Sequence, residues 1–169
     1  GLWRVNTRGS FALGEISAGV NKTWEEVFYE AGIDEPSMDT LLDSHTYVFE
    51  LCSPYNKVVR RYETPTAFLL TVFHNATGRE LSELVINKTA TLLRVKRPVR
   101  YLFTRLTDIQ AFLHAHADPT FEGLVLRDRS GMRIKVKNPS YVALHRLHNN
   151  GNIFNPKALL PLVLKGEVS

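Results

Sequence analysis

Residues 120–147, TFEGLVLRDRSGMRIKVKNPSYVALHRL, constrain the fold more than any other stretch of the chain. Glu122 and Gly123 lead into a short apolar run, Leu124-Val125-Leu126, and a charged turn follows from Arg127 to Gly131. Beyond the turn the residues alternate strictly. Met132, Ile134 and Val136 fall on one face, and Arg133, Lys135 and Lys137 on the other. Period-two alternation on both sides of a Gly-containing turn predicts two antiparallel strands. Three cations side by side on one strand face repel one another, which an anion lying over them relieves, and a polyphosphate has that chemistry. Glu122, on the neighbouring strand, is a candidate ligand for a divalent metal carried by the same phosphates. A solvated strand face beside an unrelated glutamate gives the same pattern, and spacing alone does not separate the two.

The rest of the chain reads as an ordinary globular sequence. At 169 residues it is long enough for one domain with a true core. A net charge of +4 is compatible with a nucleic-acid partner without requiring one. The lone cysteine, Cys52, rules out an intramolecular disulfide. No apolar run is long enough to span a membrane, and no signal peptide is visible, so an intracellular, cytoplasmic protein with no membrane partner is expected. The Asn-x-Thr triplets at Asn21, Asn75 and Asn87 matter only in a secreted protein and are taken as chance.

From the N-terminus, residues 1–11 alternate like a strand. Asn21–Ala31 has helical spacing at Trp24, Val27, Phe28 and Ala31, with a capping box at Thr23 and Glu26 and a C-cap at Gly32. A short helical turn is expected over 38–42. Thr46–Cys52 reads as a buried strand interrupted by Glu50, whose carboxylate belongs at the strand end or in a polar site. Ser53-Pro54-Tyr55-Asn56 is a turn, and Lys57 begins another strand. Thr66–Phe73 is a continuous apolar strand, expected to be covered on both faces. A helix is expected to start within 80–85, and 89–95 reads equally as strand or helix. Between Lys88 and Arg105, basic residues interleave with Tyr101 and Phe103, a pattern shared by single-stranded RNA-binding surfaces and solvated basic edges. Leu106–Ala117 is a helix with Thr107 as N-cap and with Ile109, Phe112 and Leu113 facing inward. His114 and His116 lie two apart on it and make no metal pair. Asn149–Asn152 is a loop and a plausible domain boundary, with an apolar helix beyond it.

The ordered set of Glu122-Gly123, Lys135-x-Lys137 and Tyr141-Val142-x-Leu144-His145 resembles motifs IV and V of the covalent nucleotidyltransferases. Among these it is most similar to the T4-type, ATP-dependent RNA ligases. FELCSPYNKVVRRYE resembles their motif III, TAFLLTVF their motif IIIa, and Thr7-Arg8-Gly9-Ser10-Phe11 their motif Ia. The resemblance implies an α+β fold, an ATP-grasp-like nucleotidyltransferase domain in which antiparallel sheets form a nucleotide groove with helices packed outside. It also implies ATP and Mg²⁺ (or Mn²⁺) as cofactors and RNA ends as partners. Lys135 and Lys137 would be catalytic, neutralising the α-phosphate and the leaving pyrophosphate, with Arg8 adding to them. Glu50 and Glu122 would organise ribose and metal, and Phe68 would pack on the adenine. Lys57 would face phosphates or RNA. The domain would run over 1–148, with 149–169 opening a C-terminal accessory region.

One family element is missing. Motif I, Lys-x-Asp-Gly, supplies the lysine that attacks ATP, and no such tetrad occurs in the sequence. Two readings stay open: an interior portion of a longer ligase, inactive by itself, or a non-catalytic RNA- or nucleotide-binding module derived from the same fold. A related capping enzyme or DNA ligase is a third alternative, disfavoured by the Ser-Pro-Tyr-Asn turn and the Tyr-Val-Ala-Leu-His tail.

Overall fold

A computed structural model describes residues 3–7, 14–16, 19–56, 60–116 and 118–149. Arg8, Lys57 and the expected accessory region from 150 onward lie outside the described residues. The chain forms two compact units, Gly1–Lys57 with Arg61–Arg100, and Val58–Arg60 with Tyr101–Ser169. Both mix helices with a small antiparallel sheet, in keeping with the expected α+β class.

In the first unit, helix α1 (Trp24–Glu30) starts at the expected capping box: Thr23 Oγ1 accepts from the Glu26 amide, and the Glu26 carboxylate accepts from the Thr23 amide at 2.7 Å. That backbone hydrogen bond, with the Thr23 hydroxyl, holds the Glu26 carboxyl below its ordinary range. Val27 and Phe28 are buried, and Gly32, at φ +90°, turns the chain out of the helix. The next helical turn, α2 (Glu35–Met38), begins earlier than expected because Asp34 caps it through the Ser37 amide at 3.0 Å and Pro36 suits its first turn.

Strand β1 (His45–Cys52) pairs antiparallel with β2 (Thr66–His74). The register runs from His45 opposite His74 to Cys52 opposite Thr66, with one irregularity: Val48 faces Thr71 and Phe49 faces Leu69, leaving Leu70 as an extra residue. Ala67 and Leu69 therefore share the core face with Val72, although 69 and 72 differ in parity. Leu69, Val72 and Ile86 are completely buried, each contributing roughly 1.5–3 kcal/mol of hydrophobic stabilisation. The other face of β2 is not covered as expected: Phe68 is half-buried, and Leu70 is exposed where the bulge pushes it outward.

Helix α3 (Glu83–Leu92) resolves the ambiguity over 89–95. Ser82 caps it, and the Thr89 and Thr91 hydroxyls return to the carbonyls of Val85 and Asn87. Beyond α3 the chain comes back along β2. The Lys96 carbonyl accepts from the Leu69 amide at 2.9 Å, and Phe68 and Lys96 form a parallel bridge. Arg97 then clamps the bulge, donating to the carbonyls of Leu69 and Leu70 at 2.6 Å each while pairing with Glu83 at 2.8 Å.

In the second unit, α4 (Leu106–Ala115) begins at Leu106 as expected, but Thr107 does not cap it. Arg105 occupies the N-cap, and its guanidinium pairs with Asp108 at 3.1 Å instead of closing the helix end. Leu113 is buried, and Phe112 packs among Tyr101, Phe103, His116 and Phe121. Strand β3 (Gly123–Arg127) pairs antiparallel with β4 (Arg133–Lys137), as the alternation predicts. Helix α5 (Pro139–Asn149) follows directly, so the Tyr-Val-Ala-Leu-His tail is helical.

Candidate functional site

The β3–β4 hairpin brings three of the singled-out side chains together. Glu122 precedes β3, Gly123 stands opposite Lys137, and Val125 opposite Lys135. Glu122 Oε1 lies 2.6 Å from Lys135 Nζ and 4.0 Å from Lys137 Nζ. The charge row read from the sequence is thus relieved in part by the protein's own carboxylate. All three side chains are about half exposed, so each ion pair contributes little stability, roughly 0–1 kcal/mol. Such a weak tie leaves the two ammonium groups able to exchange Glu122 for an arriving anion. Arg133, the third cation of the row, instead donates to the Gly131 carbonyl at the turn, at 3.2 Å.

The backbone dictates this convergence. Gly123 sits at φ +139°, where a side chain is strained, and a Cβ there would stand 2.1 Å from the Val136 carbonyl oxygen and 2.8 Å from Lys137 Cα. Only glycine lets β3 approach β4 this closely beside Glu122. At the far end, the Asp128 carboxylate accepts from the Met132 amide at 2.9 Å and from the Ser130 hydroxyl at 2.7 Å. The Ser130 hydrogen bond is the main cause of its depressed carboxyl pKa.

Asn138 connects the hairpin to α5. Its amide donates to the Glu122 carbonyl at 2.9 Å, and its side-chain oxygen accepts from the Ser140 amide at 3.0 Å. The Ser140 bond fixes the orientation of the side-chain amide, which leaves Asn138 Nδ2 buried with no acceptor among the described residues. Tyr141, buried on the first turn of α5, has its hydroxyl pKa raised by burial and then by the charge of Glu122, and its ring stacks on His145. Nothing in the sequence pattern singled out Asn138, since an N-cap asparagine after a strand is a common structural choice.

In the first unit, Glu50 and Phe68 are register partners across β1 and β2 and so share a face. That face is the one turned away from the core, which explains how a carboxylate fits within the strand: Glu50 is exposed and carries no burial cost. The Ser53–Asn56 turn closes the end of β1. Asn56 accepts from the Ser53 amide at 2.8 Å and hydroxyl at 2.6 Å, and donates to the Leu51 carbonyl at 2.7 Å. These bonds give the Ser-Pro-Tyr-Asn sequence a structural purpose beside the Glu50 strand.

The described residues hold no group of three or more His, Cys, Asp or Glu side chains arranged for a metal ion. Glu122 offers one accessible carboxylate. That donor set fits Mg²⁺ arriving with a phosphate ligand, because Mg²⁺ usually takes one or two carboxylates and completes its shell with phosphate oxygens and water. It does not fit a metal caged by protein alone. Among the described residues no helix is long and apolar enough to cross a membrane.

No family model matches the chain. Two curated proteins are similar to it over almost its whole length. One is an RNA ligase of Rhodothermus phage RM378, 23% identical over 205 aligned positions that cover 98% of this chain and 46% of the relative. The other, named by inference as a bifunctional polynucleotide kinase/RNA ligase, is from Autographa californica nuclear polyhedrosis virus. It is 29% identical over 177 positions, covering 99% of this chain and 24% of the relative. The chain spans less than half the length of either relative. These distant similarities support an RNA ligase family for the chain.

Proposed function

We propose that this chain is the ligand-holding part of an ATP-dependent RNA ligase of the T4 type, which joins a 5′-phosphate to a 3′-hydroxyl. The observation that carries the proposal is the meeting of Lys135 and Lys137 on Glu122 behind a glycine that no other residue can replace. In this reaction a lysine amine attacks the α-phosphorus of ATP, and pyrophosphate leaves. A 5′-phosphate oxygen of RNA then displaces that lysine, giving an RNA-adenylate. Finally a 3′-hydroxyl attacks the RNA phosphorus, and AMP leaves. Each step moves a phosphoryl centre, and such steps depend on positioning and charge neutralisation.

Lys135 and Lys137 release Glu122 and bind the phosphate oxygens as charge builds on them. Glu122, freed from Lys135, would hold Mg²⁺, which when bound would supply further neutralisation of the phosphate charge. Glu50 accepts from ribose hydroxyls and Phe68 packs on the base. Arg8 adds a bidentate phosphate contact. The ligase names of the two relatives support the RNA ends as substrates.

Equilibrium dialysis of radiolabelled ATP with Mg²⁺ against the 169-residue chain tests this. Saturable binding is expected, weakened at least about tenfold in the Lys135→Ala/Lys137→Ala double variant, since hydrogen bonds to charged groups carry roughly 1.5–3 kcal/mol each. Equal binding by the variant, or no saturable binding by the wild type, would overturn the proposal. A second reading is a nucleotide- or RNA-binding module without chemistry. Intact mass of the protein as prepared, after incubation with ATP and Mg²⁺, separates the two, because only a longer ligase that carries the attacking lysine gains a covalent AMP.

A further inference from the structure

Glu50, Phe68 and Lys96 form one row across the first unit. Glu50 is the register partner of Phe68, and Phe68 is bridged in parallel to Lys96. Side chains of directly bridged residues project to the same face, so all three stand on the side away from the core. The neighbours of Lys96 confirm its direction: Val95 packs into both hydrophobic clusters, and Arg97 is bound to Glu83 and Asn87 of α3. Arg97 and Arg105 have carboxylate partners, whereas Lys96 is exposed and has none among the described residues. Glu50 is equally without a cation among them. Two strand spacings, roughly 10 Å, keep the two charges from pairing with each other. Between them lies the half-buried ring of Phe68.

We propose that Lys96 is a further ligand-binding residue, holding a phosphate group of a nucleotide whose base stacks on Phe68 and whose ribose hydroxyls meet Glu50. The inference rests on the nucleotide reading of Glu50 and Phe68 given above. An acceptor, an aromatic plateau and a cation on one face offer partners for the diol, the π-face and the anion of a nucleoside phosphate, whose ribose, lying beside the Phe68 ring, carries both the diol and the phosphate. The same ammonium suits the 5′-phosphate of an RNA end.

Titration calorimetry on the full chain decides the matter, with adenosine, AMP, ATP–Mg²⁺, and a short RNA with and without its 5′-phosphate. Lys96→Gln is expected to weaken AMP and ATP about tenfold while leaving adenosine unchanged, and Lys96→Arg is expected to restore most of the loss. A loss confined to the 5′-phosphorylated RNA keeps the phosphate contact and assigns it to the RNA end. Unchanged binding of every phosphorylated ligand by Lys96→Gln, with Phe68→Ala still weakening adenosine, overturns the Lys96 inference and leaves the nucleotide reading standing. If the wild type binds none of these ligands, both fall together. Lys96 is exposed, so its variants should melt with the wild type, which separates a binding loss from misfolding.

Discussion

The two small sheets carry related pairs of candidate residues but are held by different forces. In β1–β2 one face is packed: Leu69 and Val72 are completely buried against Ile86 and Ala90, and Glu50 and Phe68 ride on the reverse of that core. In β3–β4 neither face is fully packed among the described residues, although Leu124, Leu126 and Val136 are half-buried on one of them. Ile134 and Met132 are exposed on one side, and Val125 with Lys135 and Lys137 on the other. Among the described residues, that hairpin has no fully buried side chain to set its register. Its shape comes from Gly123, which admits the close approach, from the Asp128 turn, and from Asn138, which fastens the Glu122 carbonyl. A ligand site on a packed sheet is defended by hydrophobic burial, whereas one on an open hairpin is defended by backbone chemistry at a few positions. The second kind is cheaper to distort, so ligand contacts there tighten it most.

The comparison breaks most severely on the packed side. Leu69→Ala removes a completely buried side chain beneath the bulge and should cost about 2–5 kcal/mol in urea-induced unfolding. A loss under 1 kcal/mol, a rough threshold for well-packed cores, would mean that this core is not what holds β1 to β2. Gly123→Ala attacks the open hairpin. The added methyl meets backbone atoms that cannot rotate away, so a cost of about 1–3 kcal/mol is expected, together with loss of ATP binding as Glu122 parts from Lys135. Retained ATP affinity in this variant would show that the convergence does not depend on the close approach.

The smallest effect is in pH. The Asp128 carboxyl is depressed, chiefly by the Ser130 hydroxyl, so the stability that it lends the turn is present above its unfolded value, about pH 4. It is lost as pH falls through the lower folded value. Amide protection in β3 and β4, measured relative to intrinsic exchange at each pH, should therefore fall in acid, and Asp128→Asn should flatten that dependence. Acid exchange identical in the two proteins would remove Asp128 from the account.

Much of the hairpin was legible because alternation and turn chemistry are local: residues 123–137 fold as their pattern predicts. The α1 capping box was legible for the same reason. Alternation would put position 122 on the face of Leu124 and Val136, so the turn of Glu122 toward Lys135 was not legible and depends on the backbone at Gly123. What stayed hidden depends on distance along the chain. Glu50 and Phe68 lie on strands whose mutual register no local pattern sets, and Lys96 joins them through a single bridge too short to carry a period. Helix α3 was obscured by Thr89 and Thr91, which favour strands unless their hydroxyls find the preceding turn, as they do here. The start of α4 at Leu106 was legible but its cap was misread, because Arg105 and Asp108 pair as ions where a side-chain cap by Thr107 was expected.

The extra residue at Leu70 reaches beyond this chain to any comparison of its sequence with another. On either side of it, β2 is written in opposite reading frames: odd positions face the core before it and even ones after it. A relative without the bulge would be one residue shorter here. An alignment drawn without that gap would then exchange core positions for outward-facing ones along half the strand. Such a mismatch lowers apparent identity without any change in chemistry, and a gap placed at Leu70 should recover it.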